Sequence, residues 1–335
     1  MVEGRTYTSN TSKLLKQLDK LKDLQEGRQR PVMLHIAPTN RCNLECSYCC
    51  YGQRELTDEL TVTQVKNALS QFAPIMSGTP KAFNGTRKHI GGVEWTGGGD
   101  PTVFKGLNEC IEYAAGWGYS QGLITNGISM DRVKAYKDLE WMRVSLHGLN
   151  FPEQKFKTKM GINIDRAREV NPKIDISSTY IWTAGSEKTL EDVVKFTNKY
   201  KIPTRLTPDL TLGKESIDKM MISVGEELKK YNSEFVFLSD FNVKTTRNNT
   251  NCYMHMVKPF IWSDGNVYVC PSIGLSPDNK LNVNDKFKVC SIEDITKQYT
   301  SAVSIRQQDC QFCKYAPQNE LIEDLLRGTE HNDFA

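Results

Sequence analysis

The sequence predicts an α/β protein built on a parallel sheet. Two observations carry this expectation. From residue 31 to about 210 short apolar runs alternate with helical patterns, and after about residue 235 that rhythm stops. Strands are expected at Val32–Ile36, Val93–Trp95, Gly122–Ile124, Met142–Leu146, Ile174–Tyr180 and Thr204–Leu206. Between them Val62, Val65, Leu69 and Phe72 share one helical face, and Leu107, Cys110, Ile111 and Ala114 share another. A third helix opens near Ser186 and runs through Leu190, Val193, Val194 and Thr197. Six such units make a partial barrel or a doubly wound sheet. In either case the ligand site lies beyond the C-terminal ends of the strands. Cys110 falls on an apolar face and is expected in the core.

The flanks are simpler. Leu14, Leu18 and Leu21 recur at helical spacing among lysines, so residues 11 to 25 are expected to form an amphipathic helix that packs on the domain after it. Late in the chain, Lys258–Trp262 and Asn266–Cys270 flank Ser263-Asp264-Gly265, a hairpin signal because glycine accepts the positive φ of such turns. A helix is expected from Ser291, then the pair Cys310-x-x-Cys313, then a last helix through Leu321, Leu325 and Leu326. This stretch has little apolar sequence of its own, so a metal staple would help to stabilise it. The expected organisation is an extension over 1–30, a strand–helix domain over 31–235 and an appended module over 236–335.

Composition narrows the class. Forty-three basic residues against 40 acidic give a formal charge of +3. That balance argues against a strong electrostatic footprint for nucleic acid or an anionic membrane. No apolar run approaches a membrane span, and the start MVEGRTYTSNTSKLLKQ lacks a secretory segment, so a cytoplasmic location is expected. Ten cysteines, the core residue Cys110 apart, then point to metal ligands or catalytic thiols rather than disulfides.

The first group follows the first strand, where His35-Ile36-Ala37-Pro38-Thr39-Asn40-Arg41 leads into Cys42-x3-Cys46-x2-Cys49. Three thiolates on one loop can hold three corners of a cubane cluster and leave one iron open to a ligand. Zinc closed by Cys50 or His35 is the competing reading, although zinc sites favour paired C-x2-C spacings.

Cys42-x3-Cys46-x2-Cys49 with the aromatic Tyr48 before its last cysteine resembles the signature of the radical S-adenosylmethionine (SAM) enzymes. Thr96-Gly97-Gly98-Gly99-Asp100-Pro101 after the second strand is similar to that family's Gly-Gly-Glu-Pro stretch, with Asp100 where glutamate is usual. Thr125-Asn126-Gly127 resembles its T-N-G turn. The resemblance implies a partial (β/α)6 TIM-like barrel with a small C-terminal α+β cluster-binding module. It also implies a SAM-binding [4Fe–4S] cluster on Cys42, Cys46 and Cys49. Tyr48, Gly97, Gly98, Gly99, Asp100, Thr125 and Asn126 would surround bound SAM, and Ser145 would reach its ribose or carboxylate. Arg143, Ser145 and His147 share one face of the fourth strand. The family's strand-five pattern G-x-I-x-G-x-x-E is missing from Ile174–Thr183, so no adenine contact is carried over there.

Cys252 and Cys270 bracket the hairpin, and Cys310 and Cys313 follow it. This set resembles the twitch form of the SPASM extension, which implies an auxiliary [4Fe–4S] cluster; a zinc ribbon is the competing reading. Together the resemblances imply reductive SAM cleavage, hydrogen abstraction from a substrate C–H and net oxidation, with an electron donor such as flavodoxin or ferredoxin. Arg205 and Asp209 are candidate substrate contacts. Cys290 and Cys50 are expected as buried or adventitious thiols, although Cys290 could also replace one cluster ligand. The alternative is a redox-neutral epimerase or rearrangement enzyme in which Cys290 or Cys50 donates hydrogen; a zinc-stapled binding module is the non-enzymatic reading. The substrate is expected to be a small molecule, a nucleotide or a peptide, the last disfavoured because residues 1–30 are too few for a leader-binding domain. Lys155-Phe156-Lys157-Thr158-Lys159 is expected as a polar loop.

Overall fold

The computed structural model describes residues 11–52, 54–78, 89–146, 154–183, 185–231, 233–238, 251–272, 287–301, 306–307 and 313–327. The N-terminal segment forms two helices, α1 (Thr11–Leu15) and α2 (Leu18–Gln25), where the periodicity predicts one. Lys20 of α2 reaches the carbonyls of Pro31 and Ile90, at 3.0 Å each, and Gln25 Nε2 donates to the Leu325 carbonyl. The extension therefore touches both the base of the sheet and the last helix.

The central part runs β1 (Met33–Ile36), α3 (Val62–Ser77), β2 (Gly92–Trp95), α4 (Leu107–Gly116), β3 (Ser120–Thr125), β4 (Trp141–Ser145), α5 (Gln154–Val170), β5 (Asp175–Trp182), α6 (Glu187–Tyr200), β6 (Thr204–Pro208), α7 (Lys214–Leu228) and β7 (Val236–Leu238). The six expected strands are present with ends moved by one or two residues. Local signals set the boundaries of α3. Thr61 and Gln64 form a reciprocal capping box, and the helix stops at Gly78, whose φ of 69° suits only glycine comfortably. The first turns of α5 contain Lys157 and Lys159, expected in a loop. The segment has no helix breaker there, and these lysines pair with Asp192 and Asp131.

The chain then gives β8 (Asn251–Cys252), α8 (Met254–Val257), β9 (Phe260–Ile261), β10 (Asn266–Tyr268), β11 (Lys288–Ser291), α9 (Ile295–Thr300), β12 (Arg306–Gln307) and α10 (Ala316–Arg327). The expected hairpin is β9–β10, turning at Gly265 with φ 84°. Strand β9 also pairs in parallel with β1, setting Phe260 beside His35. Among the described residues this makes one sheet of ten strands, ordered β11-β10-β9-β1-β2-β3-β4-β5-β6-β7. Residues after 235 thus supply both edges of the sheet, and the sheet runs unbroken across the expected module boundary.

The fold is a partial barrel. One face carries the core: Leu34, Ile36, Val93, Trp95, Leu123, Met142 and Val144 are all buried. Helices α3 and α4 close over it, as the bonds from Tyr119 to Leu69 and from Gln121 to Ile111 show. Alternation puts His35, Glu94, Arg143, Ser145, Ser177, Thr179 and Arg205 on the other face. Among the described residues no helix is long and apolar enough to cross a membrane.

Candidate active site

The cysteine loop leaves the C-terminal end of β1, where Ala37 N–H bonds to the Ile261 carbonyl of β9. Cys42, Cys46 and Cys49 are all half-buried, and Cys49 N–H closes a turn on the Cys46 carbonyl. Arg54 pins the loop. Its Nε donates to the Asn40 carbonyl at 2.6 Å, and Nη1 donates to the Tyr51 carbonyl and, at 3.8 Å, to Cys49 Sγ.

The glycine run lies directly under this loop. Gly99 N–H bonds to the Thr39 carbonyl and Asp100 N–H to the Arg41 carbonyl. A Cβ on Gly99 would sit 1.9 Å from the Arg41 carbonyl oxygen, and one on Gly98 2.2 Å from Asn40 Oδ1. The family resemblance implies that these glycines lie against bound SAM. The structure gives Gly98 and Gly99 an additional role: without side chains, the cysteine loop can rest on them.

Asp100 is buried and its carboxylate is filled by protein donors. It accepts from Thr102 N–H at 2.9 Å, from the Thr102 hydroxyl, from Thr125 Oγ1 at 3.0 Å and from Asn126 N–H at 2.6 Å. Burial raises its pKa and these bonds pull it part of the way back. Asp100 and Thr125 thus clamp the end of β2 to the end of β3. Asn126 is positioned by that clamp. Its Nδ2 donates to Asn43 Oδ1 at 2.7 Å and to Cys42 Sγ at 3.6 Å.

Burial raises the pKa of Cys42 and Cys46, the latter against a hydrogen bond from Tyr48. Such thiols ionise when a metal supplies the positive charge. The donor set fits an iron–sulfur cluster: three thiols on one loop, with N–H donors aimed at the sulfurs of Cys42 and Cys49. Among the described residues no three His, Cys, Asp or Glu side chains already form a metal-ligating group, so the fit rests on donor chemistry.

Cys252 and Cys313 are buried, and Asn319 connects their surroundings. Its Nδ2 donates to Cys313 Sγ at 3.6 Å while its Oδ1 accepts from Tyr253 N–H at 2.9 Å. Tyr315 lies close to both Cys270 and Cys313. The Tyr51 hydroxyl donates to the Pro271 carbonyl, and its ring meets Trp262 edge-on at 5.1 Å. The segment after Cys49 therefore touches the segment after Cys270. Cys310 and His147 lie outside the described residues.

The remaining candidates are scattered. Arg205 lies on the polar face, its Nη2 donating to Thr179 Oγ1 at 3.3 Å. Ser145 is half-buried at the end of β4, beside Thr179. Asp209 is spent on a local turn, accepting from Thr211 N–H and its hydroxyl. Cys290 pairs with Val267, which pairs with Ile261, so the register puts it on the helix-facing side of the sheet. The structure does not bring Cys290 to the polar face.

One pair was missed from sequence. His35 Nδ1 lies 2.9 Å from Glu94 Oε1 on that face. Burial opposes ionisation of Glu94, but His35, Arg143 and Lys314 outweigh it and bring the carboxyl down to about 2. The only sequence signal was a polar residue at matching positions of two neighbouring strands. A carboxyl depressed on folding stabilises above its unfolded pKa, and that contribution disappears as pH falls through the folded value. Denaturant unfolding should therefore show a loss on the order of 2 kcal/mol between about pH 4.5 and 2 that Glu94→Gln removes. Equal acid slopes in the two proteins would contradict the pairing.

No protein-family model matches the chain. The chain is similar to Fe-coproporphyrin III synthase of Methanosarcina barkeri, 32% identical over 145 residues. That match covers 41% of this chain and 33% of the relative, so it spans only a third of that protein's length. It is also similar to GTP 3′,8-cyclase of Aquifex aeolicus, 26% identical over 293 residues, covering 77% of this chain and 83% of the relative. Among solved structures, Streptococcus suis SuiB bound to S-adenosylmethionine superposes with a TM-score of 0.55 at 15% identity, covering 88% of this chain and 72% of that one. At that identity the likeness is one of fold.

Proposed function

The homologues of this chain are radical SAM enzymes, and from that premise we propose that it cleaves SAM at Cys42, Cys46 and Cys49 and oxidises a substrate at a C–H bond. The observation that carries the reading is the seat of the cysteine loop: the C-terminal end of β1, backbone-bonded to Gly99 and Asp100, with Asn126 against the Cys42 sulfur. When bound, the cluster and SAM supply an electron transfer that releases a 5′-deoxyadenosyl radical able to abstract hydrogen. The chain's own part is positioning. Arg54 and Asn126 place N–H donors on two of the sulfurs, which stabilises thiolate over thiol. Asp100 fixes Asn126, and Ser145 at the end of β4 offers a hydroxyl for the cofactor. Cys252, Cys270, Cys310 and Cys313 would hold the auxiliary [4Fe–4S] cluster, in a SPASM/twitch-type segment over 236–335, and take the substrate's electron. Flavodoxin or ferredoxin would deliver the initiating electron.

The direct test is 5′-deoxyadenosine formation by the anaerobically reconstituted chain given SAM and a low-potential reductant. A chain loaded with iron at both cysteine groups that leaves SAM intact would remove the reading. A redox-neutral reaction is the second reading, and Cys50 favours it over the first only if its thiol faces substrate. Cys50 does lie near Lys314 and Cys49. If it donates hydrogen, Cys50→Ala should keep 5′-deoxyadenosine formation and lose turnover of substrate by at least about a hundredfold. Under the oxidative reading, turnover stays within about threefold.

A further inference from the structure

Helix α10 is laid against the short strand that carries Cys252. Ala316, Asn319, Ile322 and Glu323 recur at helical spacing on one face of it, and all four are buried. Two polar members of that face bond to the chain on either side of Cys252. Asn319 Oδ1 accepts from Tyr253 N–H at 2.9 Å, and Glu323 Oε1 accepts from Asn251 Nδ2 at 3.2 Å. The charge of Glu323 is answered within the helix by Arg327, whose Nη2 donates to the same oxygen at 2.7 Å.

Asn319 also reaches a second cysteine. A backbone N–H can only donate, so the bond from Tyr253 fixes which end of the amide is oxygen and turns Nδ2 toward Cys313 Sγ, at 3.6 Å. Asn319 is 1% exposed, Cys252 5% and Cys313 9%, so the contact sits where little water competes for the sulfur. Cys313 also lies just before α10, at the positive end of the helix dipole, and its carbonyl accepts from Ala316 N–H. Burial opposes any added negative charge, and N–H donors to a ligand sulfur offset that cost. A single side chain therefore joins the strand of Cys252 to the sulfur of Cys313 and presents a donor to it.

We infer that Asn319 is a positioning residue of the late cysteine group: its oxygen holds the strand of Cys252 in place, and its N–H raises the potential at which that site accepts one electron. The inference rests on the auxiliary cluster proposed above. It adds a residue that no cysteine spacing reveals, and it assigns to Asn319 the ease with which the substrate's electron is taken up. No proton moves in that step. The added charge stays on the site and is stabilised by the amide N–H.

The test is a redox titration, followed by electron paramagnetic resonance, on the full, anaerobically reconstituted chain with iron counted in each variant. Asn319→Leu removes the donor without adding charge, and Asn319→Asp keeps an oxygen for Tyr253 N–H. In both, the ratio of reduced to oxidised late cluster at a fixed potential should fall at least about tenfold, a midpoint lower by about 59 mV for one electron. The early cluster should keep its midpoint. If Asn319→Leu does not fold or does not hold iron, the contact is read directly. Asparagine labelled with heavy nitrogen at the side-chain amide should then give a nitrogen coupling to the reduced late cluster that Asn319→Asp lacks. An unmoved midpoint, a midpoint lowered in Asn319→Asp alone, or a coupling that is missing or survives in Asn319→Asp would each overturn the inference. Iron at the late cysteines with an unmoved midpoint removes the role of Asn319 and keeps the auxiliary cluster. Zinc or no metal there removes the auxiliary cluster and the inference with it.

Discussion

Cys42→Ala is expected to lower 5′-deoxyadenosine formation at least about a thousandfold and to remove about four of about eight irons per chain. The C-x3-C-x2-C motif supplies three thiols, and a cubane that already leaves one iron without a protein ligand cannot spare a second corner. Cys42 is also the sulfur that receives the Asn126 N–H, so its loss leaves that donor facing an apolar methyl. Iron at the late cysteines should stay. Two measurements check this: iron content after anaerobic reconstitution, and product analysis with SAM. Cys110→Ala is the matched control. Cys110 is fully buried on α4 among core residues, so its loss should cost about 1–2 kcal/mol of stability and leave SAM cleavage intact.

Gly99→Ala should be nearly as damaging without removing a ligand. A methyl there would lie 1.9 Å from the Arg41 carbonyl oxygen and 2.4 Å from its carbon, and both are backbone atoms that cannot rotate away. The loop must lift, breaking the bonds from Gly99 N–H to Thr39 and from Asp100 N–H to Arg41. Overpacking at that scale costs about 3 kcal/mol, and the displaced loop would carry Cys42 out of reach of Asn126. The expected result is a lower unfolding midpoint together with poor cluster loading. Gly116→Ala separates this from a general intolerance of change at glycine. Nothing lies within 4 Å of its Cβ position, and alanine at the end of α4 should stabilise by about 0.5 kcal/mol. If both substitutions load iron equally well, the loop does not depend on the glycine seat.

The strands of the barrel were legible because one face of each carries the core. Val93 and Trp95, or Met142 and Val144, announce themselves by alternation. The hairpin at Gly265 was legible from turn chemistry. Its pairing with β1 was not, because the partner of Phe260 is His35, 225 residues earlier, and no local pattern encodes that register. Strand β7 spans three residues, too few to show a period. At the site, spacing alone singled out Cys42, Cys46 and Cys49. The role of Asp100 required coordinates: its neighbours Thr102, Thr125 and Asn126 converge only after β2 and β3 align. The Glu94–His35 pair was hidden for the same reason. Each residue alone is an ordinary polar position on a strand, and their chemistry comes from being side by side.

Under the proposed function the early cysteines hold a cluster with one iron open to SAM. Electron paramagnetic resonance of the reduced, anaerobically reconstituted chain, recorded with and without SAM, tests it most directly. Two reduced [4Fe–4S] signals are expected, of which the one lost in Cys42→Ala changes shape when SAM is added. A chain that takes up zinc in place of iron, or whose signals ignore SAM, would contradict it.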